Sequence, residues 1–150
     1  MKTITVNILF LATLLCSPFS SAEILLSVTC GDSSGYTYYF EGGAIDSKSS
    51  GFTEDGITGG KITLTVDDEG NGEVMHLDAT QKIKSVKSEG GQLFVMTGDS
   101  HVNWFASYPD GTITLESLHI DSMKLASYRN TAGNKLVAKN SLMTSDCKLN

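Results

Sequence analysis

The side chains of this sequence whose types could do chemistry are three histidines, His76, His101 and His119, the cysteine pair Cys30 and Cys147, and an acidic stretch, Asp67, Asp68, Glu69, Asn71 and Glu73. His76 and Asp78 stand two apart, which on a strand places both on one face and permits a hydrogen-bonded acid–base pair. No Gly-x-Ser-x-Gly elbow or similar nucleophile setting accompanies them. An exposed polar face is therefore the expectation, with a secreted hydrolase using His76 and Asp78 as the enzymatic alternative. The histidines fall in three different predicted strands, none at i+2 or i+4 from another, so no local metal pair is written into the sequence. The acidic stretch lacks the Asp-x-Asp-x-Asp-Gly spacing and distal Glu of a calcium loop and reads as a solvated hairpin turn. The expectation is a non-enzyme without catalytic residues, metal or cofactor.

The first 22 residues bear on compartment. Lys2 provides a positive start, Ile8 to Leu15 an apolar run, and Ser20-Ser21-Ala22 a small-residue cleavage site, the three parts of a secretory signal peptide. The apolar run is less than half the roughly 20 residues a membrane-spanning helix needs, and Ser17 and Pro18 close it. Cys16 follows Thr13, Leu14 and Leu15, not the small residue that bacterial lipidation sites place before the cysteine. We expect a signal peptide over 1–22 and a single domain over 23–150, secreted or periplasmic, with no membrane span once the signal is removed.

In that mature chain ten Lys and Arg face seventeen Asp and Glu, a net charge of −7. This balance disfavours nucleic acid and anionic membranes, both of which are bound through clustered basic side chains. The one basic cluster, Lys82, Lys84 and Lys87, is spaced to edge a strand, where lysines oppose aggregation. Cys30 and Cys147 allow one intramolecular bridge, near the two ends of the domain. Bridged Cα atoms lie within about 7 Å, so the first and last strands must neighbour or face each other. A free thiol pair or a metal site is the alternative, and the lack of Cys-x-x-Cys or a nearby histidine argues against metal.

Period-two patterning dominates the chain. Ile62, Leu64 and Val66 alternate with polar residues, as do Val102, Trp104, Ala106 and Tyr108, and Ile113 and Leu115 alternate with Thr112, Thr114 and Glu116, so these read as half-buried strands. Further strands are expected at 24–29, 36–40, 73–79, 82–86, 93–97, 119–128 and 135–139, and no segment carries a helical stripe. Turn chemistry separates them at 67–72, 89–91, 97–100 and 131–134 and, most cleanly, at Tyr108-Pro109-Asp110-Gly111. The expected fold is all-β, an antiparallel meander of eight to ten short strands forming a small barrel or sandwich. The strands are too short, and too polar on one face, for an outer-membrane barrel.

Residues 41–60 interrupt the rhythm with a glycine-rich stretch whose sizeable apolar groups are Ile45, Phe52 and Ile57. Such a length reads as an irregular excursion or a binding lid. Before it, Tyr36, Tyr38 and Phe40 share one strand face, with Tyr39 on the other. Core packing is one role for such a row. The other, together with Phe52, is to bind a small apolar molecule, which requires a cavity beneath 41–60, or an envelope or extracellular protein partner. An envelope structural component without a discrete ligand is a third reading. A monomer is expected.

Cys30, the strand Gly35 to Phe40, Gly-Ile-Thr-Gly-Gly-Lys at 56–61 and Lys-Asn-Ser-Leu-Met-Thr-Ser-Asp-Cys at 139–147 resemble a family of small secreted bacterial β-proteins to which no activity is assigned. The resemblance implies an exported bacterial β-domain and transfers no functional residue.

Overall fold

The computed structural model describes residues 22–77, 82–131 and 136–150. It holds ten strands and, among the described residues, no helix: β1 (Ile24–Tyr39), β2 (Gly51–Ile57), β3 (Lys61–Asp67), β4 (Gly72–Leu77), β5 (Ile83–Ser85), β6 (Gln92–Thr97), β7 (His101–Ser107), β8 (Ile113–His119), β9 (Lys124–Asn130) and β10 (Lys139–Leu149). All pairings are antiparallel, in one sheet ordered β5-β4-β3-β1-β10-β9-β8-β7-β6, with β2 also on β1. β6 to β10 form a meander, as expected from the short spacers. The first half of the chain departs from a meander because β1 sits in mid-sheet.

β1 is one strand where two were expected. One of its edges pairs with β10 from Val28 to Tyr39. The other is divided: Ile24 to Cys30 pair with β3, and Ser33 to Tyr39 pair with β2. The change of partner falls at the irregularity between Cys30 and Ser33, where the Asp32 carboxylate accepts a hydrogen bond from the Gly59 amide at 2.7 Å in the β2–β3 turn. The supposed excursion at 41–60 thus contains a seven-residue strand. Its sequence, Gly-Phe-Thr-Glu-Asp-Gly-Ile, conceals it, because two glycines and three polar residues carry little strand propensity. Cys30 and Cys147 are register partners with Cα atoms 3.9 Å apart, and their disulfide joins the two near-terminal regions through neighbouring strands.

Two further boundaries differ from the sequence reading. The strand expected at 119–128 is divided by a turn at Ile120–Met123, with Met123 at φ 49°. The strand expected at 135–139 is instead β10, which starts at Lys139; Lys135 lies outside the described residues, as do Asp78 and Ala79 beyond β4. The Tyr108–Gly111 hairpin turn forms as read, with Gly111 at φ 84° and its amide on the Tyr108 carbonyl. Asp67 caps its own turn by accepting from the Glu69 and Asn71 amides. Lys84 lies on β5, an edge of the sheet.

The sheet curls into a half-barrel around Val28, Leu64, Val74, Trp104, Leu118 and Leu125, all fully buried. Trp104 on β7 reaches across the interior, and its indole N–H donates to the Thr65 carbonyl on β3 at 2.9 Å. β4 approaches so closely that a Cβ on Gly72 would stand 2.6 Å from Val95 Cγ2 and 3.0 Å from Trp104 Nε1. Trp104 therefore holds together two arms of the sheet that share no ladder. Trp104→Ala should cost about 3–5 kcal/mol in urea unfolding, for the lost packing and cavity. Phe52→Ala, at a side chain 80% exposed, should stay within about 0.5 kcal/mol of wild type; equal effects would contradict this account of the core.

Candidate functional site

The interior is apolar at one end and polar at the other. Three inward rows cross the sheet in register. The first runs Val102, Leu118, Leu125, Ser145, Ser33; the second Trp104, Glu116, Ser127, Met143, Gly35, Asp55; the third Ala106, Thr114, Arg129, Ser141, Thr37. Toward the third row the side chains become small and hydroxylic. Ser33, Ser127 and Ser141 are too small to fill the curl, and the result is a cavity of about 490 Å³. That volume lies within the roughly 300–1,000 Å³ typical of ligand sites.

Its walls include Glu116 and Thr114 from β8, Ser127 and Arg129 from β9, Lys139, Ser141 and Met143 from β10, Asp55 and Ile57 from β2, Ile62 from β3 and His76 from β4. A second cavity of about 290 Å³ shares Ser33, Ile57, Ile62, His76 and Arg129 with it and continues to Leu77 and Tyr108. The two are connected parts of one cleft.

Glu116 is the unusual member. It is 2% exposed, and its Oε2 has no hydrogen-bond partner among the described residues; nor does Oγ1 of Thr114, two residues away and equally buried. Burial of the carboxyl disfavours its charged form and pushes its pKa up to about 7, against the opposing influence of the nearby Ser127 hydroxyl and the Arg129 charge. Burial likewise disfavours imidazolium at His76, which the Arg129 charge reinforces, and its pKa falls to about 4. The ring is therefore neutral at pH 7. Arg129 has no ion-pair or hydrogen-bonding partner among the described residues.

Asp55, Lys139, Lys84 and Glu89 are paired, while Lys61, in the wall of the second cavity, is exposed and has no ion pair among the described residues. Asp55 accepts hydrogen bonds from Thr37 Oγ1 at 3.0 Å, from the Tyr39 hydroxyl at 3.3 Å and from the Gly56 amide, and lies 3.7 Å from Lys139 Nζ. Burial alone would raise the Asp55 carboxyl, but these hydrogen bonds and the Lys139 charge outweigh it and hold the pKa below the usual value. Lys84 pairs with Glu89 at 3.4 Å.

Sequence reasoning placed Glu116 and Thr114 on the solvent side of β8 and Ile113 and Leu115 inside. The structure reverses this. β7 fixes the register: inward Trp104 and Ala106 pair with Glu116 and Thr114, and Leu115 faces outward opposite Phe105. The parity of Leu118 with Glu116, had the strand been read to its end, is the signal that marks this face. Arg129, Ser127, Asp55 and Lys139 carry no motif and were not singled out. His76 does line the site, while Asp78, its proposed partner, lies outside the described residues.

His101 and His119 do meet, as register partners on β7 and β8 with ring centroids 4.7 Å apart, their Nδ1 atoms on Ser100 and Ser122 hydroxyls. No group of three or more metal-ligating side chains forms among the described residues.

Tyr36, Tyr38, Phe40 and Phe52 also come together, with Tyr38 5.0 Å edge-on to both phenylalanines, but on the outer face; none of them lines a cavity. Tyr36, Phe40 and Phe52 are exposed and so do not pack in the core. The inward member of that strand is Tyr39, on Asp55. The cavity expected beneath 41–60 is present, with Asp55, Gly56 and Ile57 of that segment in its wall. Outside, Tyr36 continues a register row through Leu142, Tyr128, Leu115, Phe105 and Phe94.

No protein-family model, curated protein or solved structure matches the chain.

The two shifted groups act on stability in opposite directions. Glu116 binds its proton more tightly when folded, so its contribution is complete below its ordinary pKa of 4.5 and is lost as pH rises through about 7. His76 binds its proton less tightly when folded, so its contribution is complete above 6.5 and is lost as pH falls toward about 4. Glu116→Gln removes the first effect. Relative to wild type, its unfolding free energy should gain on the order of 3 kcal/mol between pH 4.5 and 8. Parallel stability–pH curves in denaturant titrations would contradict the burial of an ionisable Glu116.

Proposed function

We propose that the chain is an exported, non-catalytic binding protein that holds a small molecule in the polar end of its half-barrel. One observation carries this reading: buried Glu116 Oε2 and Thr114 Oγ1 have no hydrogen-bond partner among the described residues and line a cavity of ligand size beside Arg129, which makes no salt bridge among them. Buried polar groups are ordinarily satisfied, and leaving one unmet costs about 1–3 kcal/mol. A bound molecule that meets both groups removes that penalty. Ionisable groups with perturbed pKa values in a cleft are also a general mark of functional sites. The lining is mixed, with Ile57, Ile62, Val137 and Met143 beside the polar groups, so the ligand combines a polar part with an apolar one.

Export is supported by the signal-like residues 1–22 and by a disulfide, which suits an oxidising compartment. Among the described residues no helix is long and apolar enough to cross a membrane. Bacterial origin, in the periplasm or outside the cell, rests on the resemblance alone.

A second reading, contact with a protein partner, is favoured by the outer face. The row from Phe94 to Tyr36 and the rows on either side of it, from Gln92 to Tyr38 and from Met96 to Ser34, contain no charged residue and no histidine, although the chain as a whole is acidic. Tyr36, Tyr38, Phe40 and Phe52 would form one end of that surface.

A thermal-shift screen with a broad library of small metabolites, run on wild type and on Ser127→Phe with matching circular dichroism, tests the first reading. Compounds that raise the wild-type Tm should leave the filled variant unmoved. No stabilising compound, or equal shifts in both proteins, would count against a cavity ligand.

A further inference from the structure

The charges around the cleft constrain what it can hold. From β9 Arg129 presents a guanidinium that makes no salt bridge among the described residues, although its charge reaches the carboxyls of Glu116 and Asp110; from β10 Lys139 is occupied by Asp55 of β2, and Lys84 of β5 by Glu89. His76 on β4 is neutral, and Tyr108 keeps its phenol proton because burial raises its pKa. Lys61 is exposed in the wall of the second cavity; in the larger cavity, with Glu116 neutral, Arg129 is the one cation without an ion pair among the described residues, and with Glu116 ionised the two charges offset. One positive charge matches a monoanion, and a planar guanidinium offers the two parallel N–H donors that a carboxylate accepts. The Thr114 hydroxyl, on the register partner of Arg129 and near the Tyr108 phenol, also lines the cavity. The apolar members of the wall, Ile57, Ile62, Val137 and Met143, suit a short hydrocarbon part.

Granting that the cavity is a ligand site, we infer that its ligand is a small amphiphilic carboxylate whose head pairs with Arg129 and shares a proton with the Glu116 carboxyl, so that binding is coupled to the uptake of one proton. The balance is simple. Above neutral pH Glu116 is mainly ionised in the empty protein, the ligand arrives as a monoanion, and one proton from solvent ends between the two carboxyls as an O–H···O⁻ hydrogen bond, a strong charge-assisted type. Without that proton two carboxylates would face each other in a buried site, which like-charge repulsion forbids. Glu116 thereby makes the affinity sensitive to pH in the neutral range.

Octanoate and octan-1-ol are suitable probes, titrated calorimetrically into the purified protein at pH 6.5, 7.5 and 8.5 in two buffers of different ionisation enthalpy. Octanoate should bind with about one proton taken up at pH 8.5, its affinity falling toward about tenfold per pH unit above 7.5, the slope of a one-proton linkage. Glu116→Gln, permanently neutral, should keep octanoate binding and lose both the proton uptake and the pH slope. Arg129→Gln should lose octanoate and keep octanol. Equal binding of the two probes without proton uptake, or binding of octanol alone, would overturn the carboxylate assignment and leave the cavity as a ligand site. Binding of neither probe at any pH would overturn the assignment and count against the ligand cavity as well.

Discussion

Because Cys30 and Cys147 are register partners on β1 and β10, their disulfide brings the two ends of the folded chain together inside the sheet instead of at its edges. This is the constraint on which the remaining architecture depends. β1 enters early in sequence and lies in mid-sheet, so everything after β2 must be laid down on one side of it or the other: β3, β4 and β5 in one direction, β6 to β10 returning from the other. On a chain-entropy account, closing a loop of about 100 residues contributes up to roughly 4.7 kcal/mol. The geometric effect matters more for function. It sets Ser33, Gly35 and Thr37 of β1 beside Ser145, Met143 and Ser141 of β10, and the small side chains of Ser33 and Ser141 line the cavity that Glu116 and Arg129 share.

A curled sheet can fill its interior with large apolar residues from end to end, and at one end this one does, with Trp104, Leu118, Leu125 and Leu64. At the other end most inward positions are given to serine, threonine and glycine, and neither Glu116 nor Arg129 makes a salt bridge among the described residues. A buried carboxyl with an unpartnered oxygen lowers stability and adds nothing to folding, whereas the Arg129 guanidinium is exposed and stays solvated. Features of this kind are tolerated where a bound molecule completes them. The network of Thr37, Tyr39, Ser141, Asp55 and Lys139 is the contrast within the same cavity: it is internally satisfied, with Thr37 Oγ1 2.9 Å from Ser141 Oγ, and reads as the scaffold that holds β2 and β10 at the rim.

The architecture was legible where side-chain parity was strong. Ile62, Leu64 and Val66, and Val102, Trp104 and Ala106, point inward as their alternation predicts, and of the two arrangements the cysteine pair allowed, strands side by side or facing each other, the structure has the first. Parity failed where the interior is polar. In Thr-Ile-Thr-Leu-Glu-Ser-Leu the more hydrophobic phase is Ile113 and Leu115, yet these form part of the outer row while Thr114 and Glu116 are inside. Alternation reports only which face is apolar, and it misassigns a strand whose outer face is apolar and whose inner face lines a cavity. β10 was hidden for the same reason, since its inward positions Ser141 and Ser145 are hydroxyls. The site was thus illegible because its residues belong to the minority that break the general pattern, and His76, singled out for a partner in sequence, earns its place through cavity neighbours contributed by distant strands.

The central claim is that Glu116 sits in the interior as a buried carboxyl, one oxygen of which has no hydrogen-bond partner among the described residues. A carbon-13 NMR titration of the Glu116 side-chain carboxyl in the ligand-free protein tests it most directly. The account predicts a midpoint near 7, well separated from the surface carboxylates; a midpoint in the ordinary glutamate range near 4.3 would show a solvated or paired side chain and contradict it.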